Sequence, residues 1–218
     1  MAKRAFGQED KLARSETILR AAADLFGDGL RDLPSVAEIA DGAGLAKGTV
    51  YLYFRTKEAI FSSLLLEGWG KVVDLVDEVF VSSAEPSGAV ASFLAEYVSY
   101  LGEHRGLLRL DALRPTLERN LQLHTLIAFK RMFMERLIDG GASIENALQL
   151  AEGRGIQLLV RTHALTCGLW QSLGPDTEMA PSADFAAYHP DFLDELSEAL
   201  SEYWRGALSV RPTECFSS

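Results

Sequence analysis

The sequence predicts an all-α protein, and three observations support that class. Apolar residues recur at the helical spacing of three and four residues, as at Ile18, Ala22 and Leu25. No segment alternates apolar and polar residues as a half-buried strand would, and no internal repeat occurs. Clusters of glycine, proline and serine divide the 218 residues into pieces of helical length. We therefore expect a domain of three short helices, joined by a long helix to a larger helical body.

The first sixty residues predict three short helices. Residues 1–10 have no apolar period and predict a flexible N-terminal arm. A helix follows from Leu12 to Gly27. Ser35 can cap the next helix, and Glu38 stands at the capping-box position three residues later. The third helix covers Ala46 to Phe54.

Two glycines mark the turn between the second and third helices. Gly42 and Gly44 are three and one residues before Leu45, where the chain must reverse direction. Such a reversal favours residues that tolerate positive φ. The stretch at about 34–53 therefore predicts a helix-turn-helix, within a domain of residues 11–57.

Residues 58–218 predict a helical body. Thr56 is a candidate N-cap for a long helix ending near Phe80. We expect Pro115 and the pair Gly140–Gly141 to end two later helices, and Pro190 to open the last one in its first turn. The expected later helices are 89–103, 106–114, 117–138, 144–173 and 190–208, with a loop over 174–190.

Composition predicts a cytoplasmic protein. The chain is 48% hydrophobic and 24% charged, which is ordinary for a globular protein. No run of about 18 apolar residues predicts a membrane span, and no apolar segment of a secretory signal follows the basic N-terminus. The two cysteines, Cys167 and Cys215, are far apart and predict no disulfide framework.

The net charge of −10 does not exclude a nucleic-acid partner, because the acidic residues are unevenly distributed. Residues 1–58 carry nine basic and nine acidic residues, and the remaining 160 carry twelve basic and 22 acidic ones. The only charged residues between 42 and 57 are Lys47, Arg55 and Lys57. The predicted helix-turn-helix is therefore locally cationic.

The sequence predicts no enzyme, cofactor or metal site. The four histidines are scattered, without the spacing of a histidine pair that binds zinc. Neither a nucleophile elbow nor a phosphate-binding glycine loop occurs. Cys167 and Cys215 are candidates for oxidant sensing, but lone cysteines are more often inert.

The string AEIADGAGLAKGTVYLYFRTKEAIF at 37–61 resembles the N-terminal domain of TetR-family transcriptional regulators. The turn glycine, the aromatic residues of the third helix and the lysine after it occur together at the family's spacing. The resemblance covers about residues 11–70. Beyond them only the helical pattern and the length agree with the family.

The resemblance implies a role for each matching residue. Lys47, Thr49 and Leu52 would reach base edges in the major groove, and Gly48 would allow a close approach of the backbone. The residues expected at phosphates are Tyr51, Tyr53 and Lys57, with backbone amides near Ser35 and Ala46.

Two positions depart from the family, which often has serine or threonine at Ala46 and histidine at Leu52. Both changes leave the recognised base sequence open. Each residue alone also fits another interpretation, in which the lysines are solvated and Tyr51 and Phe54 belong to the core. Their occurrence together favours DNA.

The resemblance also implies a homodimer, formed by the last two long helices. The expected interface residues are Leu193, Leu196, Leu200, Tyr203, Trp204 and Ala207. Some of these side chains must alternatively belong to the core of one chain.

A ligand pocket is implied in the body. The candidate lining residues are Phe93, Tyr97, Leu101, Phe129, Phe133, His163, Thr166, Cys167, Trp170 and Gln171. An aromatic stripe at helical spacing also fits plain core, and His163 also fits a hydrogen-bonded core histidine.

The resulting hypothesis is a homodimeric repressor, released from a near-palindromic DNA operator by a small, largely apolar ligand that tilts the long helix from Thr56. The alternative is a helical sensor or interaction protein without a small-molecule inducer or without DNA binding. No membrane partner is expected.

Overall fold

The computed structural model describes residues 2–27, 32–82, 86–174 and 190–209, with side chains described from Asp10 onward and outside 82–87. This part of the chain contains ten helices and no strand, which confirms the all-α prediction. The helices are α1 (Ala2–Gly27), α2 (Val36–Gly42), α3 (Lys47–Tyr53), α4 (Lys57–Ser82), α5 (Pro86–Glu103), α6 (Arg105–Ala112), α7 (Arg114–Asn120), α8 (Leu123–Leu148), α9 (Arg154–Leu173) and α10 (Phe192–Ser209). None of the described helices is long and apolar enough to cross a membrane.

The first helix is longer than the sequence predicts. It begins at Ala2, so the backbone of the segment predicted as an arm is helical from there. An apolar period is needed to pack a helix but not to form one. Alanine, lysine, arginine and glutamate all have high helix propensity without a buried face.

Two helix ends in the body differ from the prediction. Pro115 does not stop a helix; it lies in the first turn of α7, where its missing N–H costs nothing. The pair Gly140–Gly141 lies inside α8 rather than at its end. The break comes instead at 149–153, where Gln149 and Gly153 have φ values of 53° and 79°.

The last helix begins at Phe192, two residues later than Pro190. The Asp191 side chain accepts hydrogen bonds from the backbone N–H groups of Leu193 at 2.8 Å and Asp194 at 3.4 Å. An aspartate side chain can accept hydrogen bonds from the free amides of the first turn, whereas a proline ring has no acceptor. The predicted loop over 174–190 lies almost entirely outside the described residues.

Gly141 in α8 and Gly155 in α9 bring these two helix backbones together. A β-carbon on Gly155 would lie 2.0 Å from the carbonyl oxygen of Gly141, and one on Gly141 would lie 2.7 Å from the backbone nitrogen of Ile156. The N–H of Gly155 donates to Glu145 at 2.8 Å. These glycines are therefore packing residues of the α8–α9 contact.

The chain divides into two compact units. The first comprises residues 1–69 and 109–132, and so contains 58–69 and 109–132 in addition to the predicted helix-turn-helix domain. The second comprises residues 70–108 and 133–218. Each unit has its own buried apolar core. The first is centred on Ile18, Phe26, Ile39 and Val50, and the second contains Phe80, Phe93, Tyr97 and Trp204.

Candidate nucleic-acid interface

The helix-turn-helix begins with the predicted capping box. The Glu38 N–H donates to the Ser35 hydroxyl oxygen at 3.3 Å, and the Ser35 N–H donates to the Glu38 carboxylate at 2.8 Å. Val36, Ile39 and Ala40 form the buried face of α2. The cap and this face fix where α2 begins and which side of it faces the core.

The turn places α3 against α2. Gly44 has a φ of 65°, a conformation that favours glycine, and the next residue's N–H donates to the Ala40 carbonyl at 2.9 Å. Gly42 serves a different purpose, because it ends α2 in helical geometry. A β-carbon there would already touch Leu25 at 3.5 Å and Ala21 at 3.6 Å.

Most of α3 is exposed, although it consists largely of apolar and β-branched residues. Val50 is its one buried residue, whereas Leu52 is 79% exposed and Tyr51 is 45% exposed. Lys47 and Gly48 are also exposed, and Thr49 and Tyr53 are half-buried. Ala46 occupies the N-cap position without a side-chain hydrogen bond, as its residue type predicts. Exposed large apolar side chains beside a lysine indicate a contact surface rather than core.

The segment after α3 is held by two contacts. The Thr56 hydroxyl oxygen accepts from the Ala59 N–H at 3.2 Å, so Thr56 caps α4 as predicted. The Lys57 ammonium donates to the Leu33 carbonyl at 3.4 Å, before α2 begins. Lys57 is half-buried and thus helps to fix the helix pair as well as carrying charge.

The carboxyl group of Glu38 has a lowered pKa. The main cause is the hydrogen bond from the Ser35 backbone, followed by the Ser35 side chain and the positive charge of Lys57. A carboxyl group whose pKa is lower in the folded chain stabilises the fold when ionised, and this contribution is lost as pH falls through the lowered pKa.

We expect the capping box to make stability acid-sensitive. Glu38→Gln should be less stable than the wild type at pH 7, and the difference should shrink as pH falls below about 4, the usual carboxyl range. Urea unfolding of both proteins over a pH series measures it. A difference that grows on acidification would contradict the sign of the pKa shift.

The predicted pocket residues of the second unit are largely packed together. Phe93 lies 5.6–5.8 Å by ring centroid from Phe80, Tyr97 and Trp204. The Tyr97 hydroxyl is 2.8 Å from that of Thr166, and both residues are buried. Leu101 is fully buried as well.

The remaining predicted pocket residues differ in exposure. His163 and Cys167 are half-buried one turn apart on α9, with the Cys167 sulfur 3.4 Å from the His163 Nε2 atom. Trp170 is buried and meets Phe192 edge to face at 5.0 Å. Phe133 is half-buried, and Gln171 is exposed. Phe129 belongs to the first unit and lines a groove there.

Three of the predicted dimer residues prove to be core of one chain. Leu196, Leu200 and Trp204 are fully buried, and the Trp204 ring N–H donates to the Thr162 hydroxyl at 2.9 Å. They retain no surface for a partner to cover, so their assignment to the interface is corrected. The sequence could not separate the two roles, because core and interface favour the same residue types. Leu193, Tyr203 and Ala207 are half-buried and keep some exposed surface.

Comparison with known proteins identifies the family. The model for the C-terminal domain of tetracycline-repressor-like proteins matches residues 69–211, about two thirds of the chain, and the model for the tetR family of bacterial regulatory proteins matches residues 18–64. The chain belongs to the TetR family. It is therefore a TetR-family transcriptional regulator with an N-terminal helix-turn-helix.

A curated relative of this TetR-family chain is a regulator. It is 33% identical over 88 residues to the fatty acid metabolism regulator protein of Bacillus subtilis. That match covers 40% of this chain and 45% of the relative, so the chain spans less than half of the relative's length.

Two solved structures of transcriptional regulators share the fold. FadR from Bacillus subtilis, solved in complex with stearoyl-CoA, has a TM-score of 0.55 at 21% identity, over 89% of this chain and 97% of that one. FadR from Thermus thermophilus, a TetR-family repressor in complex with lauroyl-CoA, has a TM-score of 0.58 at 18% identity, over 94% and 100%.

Sequence reasoning missed two polar residues of the first unit. Arg109 donates to the carbonyls of Phe26 at 3.2 Å and Gly27 at 3.3 Å, and lies over the Phe26 ring. It thus satisfies the end of α1. Buried Asp111 accepts hydrogen bonds from Trp69 at 3.2 Å and Arg114 at 2.7 Å. Phe26, Gly27 and Trp69 are far from these residues in sequence, so no local pattern could indicate the contacts. The three-residue spacing of Asp111 and Arg114 was the one local signal.

Proposed function

We propose that this chain is a cytoplasmic, homodimeric repressor that binds a near-palindromic operator and is released by a small, largely apolar ligand. The observation that carries the DNA-binding part is the exposed face of α3. A seven-residue helix that buries only Val50 leaves Lys47, Tyr51 and Leu52 exposed. In water this exposure has no benefit for folding, whereas a DNA groove offers partners for both the charge and the apolar surface.

The roles follow from position on the helix. Lys47, Thr49 and Leu52 contact base edges, Leu52 through a thymine methyl group, and Gly48 lets the backbone approach. Phosphates are bound by the side chains of Tyr51, Tyr53 and Lys57, and by amides near Ser35 and Ala46. Because Lys57 also donates to the Leu33 carbonyl, DNA competes with that contact or shares it.

A dimer is required for useful affinity and specificity. One α3 contacts only part of a helical turn of DNA, and a two-fold dimer places two reading helices on paired half-sites about one turn apart. The half-buried residues Leu193, Tyr203 and Ala207 of α10 remain the candidates for the interface. Sedimentation at micromolar protein concentration tests the dimer independently of DNA.

The ligand proposed is a molecule with a long acyl chain. This choice rests on the relatives, since both FadR structures hold an acyl-CoA and the Bacillus subtilis relative regulates fatty acid metabolism. In this chain the half-buried residues Phe133, His163 and Cys167 are better candidates for contact than the packed Phe93, Tyr97, Leu101 and Thr166 or the exposed Gln171. Trp170, buried against Phe192, stays a candidate for the pocket wall. A ligand releases DNA only if it binds the DNA-free state more tightly.

Fluorescence anisotropy with duplexes selected from a random pool tests DNA binding, and added lauroyl-CoA or stearoyl-CoA tests release. We expect a salt-sensitive, sequence-preferring complex that dissociates with the acyl-CoA. If the complex forms but no acyl-CoA or free fatty acid dissociates it, the alternative of a regulator without a small-molecule inducer is favoured. If no duplex is selected, DNA binding itself is contradicted.

Lys57→Ala should weaken binding to all duplexes alike and reduce the slope of log affinity against log salt by about one unit. The reason is the loss of one phosphate contact. Lys47→Ala should instead change the preferred sequence. Lys71→Ala is the matched control, because it removes the same charge from an exposed position of α4. A changed sequence preference in Lys57→Ala, at unchanged salt slope, would contradict the assignment.

A further inference from the structure

We propose that the first unit carries a second ligand site, for a small organic anion with an apolar body. The site is a groove with a volume of about 310 Å³, between the end of α3 and the start of α8. All of its lining residues belong to the first unit. The site is therefore distinct from the pocket candidates of the second unit, and does not depend on the repressor function proposed above.

The rim of the groove favours negative charge. Arg55, just before α4, and His124, in the first turn of α8, both line it and are exposed. Although the chain carries 31 acidic residues, no carboxylate lines the groove. Among the described residues Arg55 forms no ion pair, so its guanidinium is available to bind a carboxylate or phosphate in a bidentate manner.

Two helices also begin at this groove. Thr56 and Ala59 line it at the start of α4, and Gln122, His124 and Thr125 line it at the start of α8. The first turn of a helix presents N–H groups without intrahelical partners and a partial positive charge. The Thr56 hydroxyl satisfies one such amide, that of Ala59. The two helix starts thus reinforce the charge of the rim.

Part of the groove's lining is apolar. Phe54, Ala59, Leu121 and Phe129 line it and are half-buried, so their side chains are neither packed into the core nor fully in water. Phe129 is one of the residues for which the sequence predicted a ligand contact. Apolar side chains in one groove with the Arg55 guanidinium match a molecule with a hydrophobic body and an anionic head.

The volume limits the size of the occupant. Ligand pockets range from roughly 300 to 1,000 Å³, so this groove is at the small end of the range. A mono- or bicyclic carboxylic acid fits such a volume, whereas an acyl-CoA does not. Tyr53 ends α3, and Phe54 and Arg55 lie between α3 and α4. Since all three line the groove, an occupant would contact the segment that carries the proposed phosphate contacts.

Isothermal titration calorimetry of the DNA-free protein with 2-naphthoate tests the site. We expect wild-type protein to bind 2-naphthoate and to bind the neutral analogue 2-naphthalenemethanol more weakly. The double variant Arg55→Gln/His124→Gln should bind 2-naphthoate about tenfold more weakly or worse, because it loses charge-assisted hydrogen bonds. Arg119→Gln is the matched control, since Arg119 is an exposed arginine of the same unit that does not line the groove.

Three results would overturn the proposal: no binding by the wild type at millimolar 2-naphthoate, equal binding of the alcohol, or an unchanged affinity in the double variant. Thermal melts test whether the double variant is folded. In the wild type, the amide signal of Thr125 in ¹⁵N NMR spectra should shift when 2-naphthoate is added. If binding of random duplex DNA, but not of 2-naphthoate, depends on Arg55 and His124, the groove is a DNA contact and the proposal fails.

Discussion

Gly155→Ala should lower the free energy of unfolding by about 3 kcal/mol, the upper end of typical overpacking costs. The new β-carbon would lie 2.0 Å from the carbonyl oxygen of Gly141, and 2.7 Å from its carbonyl carbon. Both atoms belong to the backbone of α8, so no side chain can rotate away. The two helices must separate instead, which also strains the hydrogen bond from the Gly155 N–H to Glu145. Urea unfolding measures the loss.

Gly168→Ala is the control for this prediction. Gly168 lies on the same helix, α9, and a β-carbon there would have nothing within 4 Å. Replacing glycine by alanine in a helix interior gains up to about 1 kcal/mol, so this variant should be more stable than the wild type. If both variants gain stability, the close approach of α8 and α9 at Gly141 and Gly155 is contradicted.

Gly48→Glu should strongly weaken specific DNA binding without unfolding the protein. Gly48 is exposed in the first turn of α3, and a β-carbon there would have nothing within 4 Å, so the fold accepts a side chain. An acidic residue in a first helical turn is favourable in the free protein. On DNA the same side chain would block the approach of the backbone and repel phosphates. We expect affinity to fall on the order of a hundredfold, the loss of one or two good contacts.

The matched control is Gly88→Glu. It adds the same charge near the start of another helix, α5, again where a β-carbon would have nothing within 4 Å. This variant should bind DNA like the wild type, and both should melt near the wild-type temperature. Anisotropy with the selected duplex gives the affinities. Wild-type affinity in Gly48→Glu would show that α3 does not enter the DNA major groove, and would contradict the proposed interface.

Local sequence signals predicted the helix-turn-helix well. Ser35 and Glu38 form the capping box, Gly44 takes positive φ, and Thr56 caps α4. Each of these features depends on residues within a few positions of one another. For the same reason the missing side-chain cap at Ala46 was predictable from its residue type.

Signals whose meaning depends on distant partners were misread. Gly140–Gly141 and Pro115 look locally like helix ends, but lie within α8 and in the first turn of α7. Leu196, Leu200 and Trp204 have the spacing of an interface seam, yet the core of their own unit buries them. An apolar stripe shows that a face is covered and does not show what covers it.

The sequence by itself determined the helical class and the local positive charge between residues 42 and 57. It also determined the pair α2 and α3, with a capping box at its start and a glycine turn between the two helices. These follow from propensity, spacing and charge, which are properties of neighbouring residues. Only the tertiary structure decided that Leu52 is exposed while Val50 is buried, that Gly141 and Gly155 let two backbones touch, and that Arg55 and His124 share one groove. The physical reason is that burial and contact depend on residues far apart in sequence, whose positions no local pattern encodes.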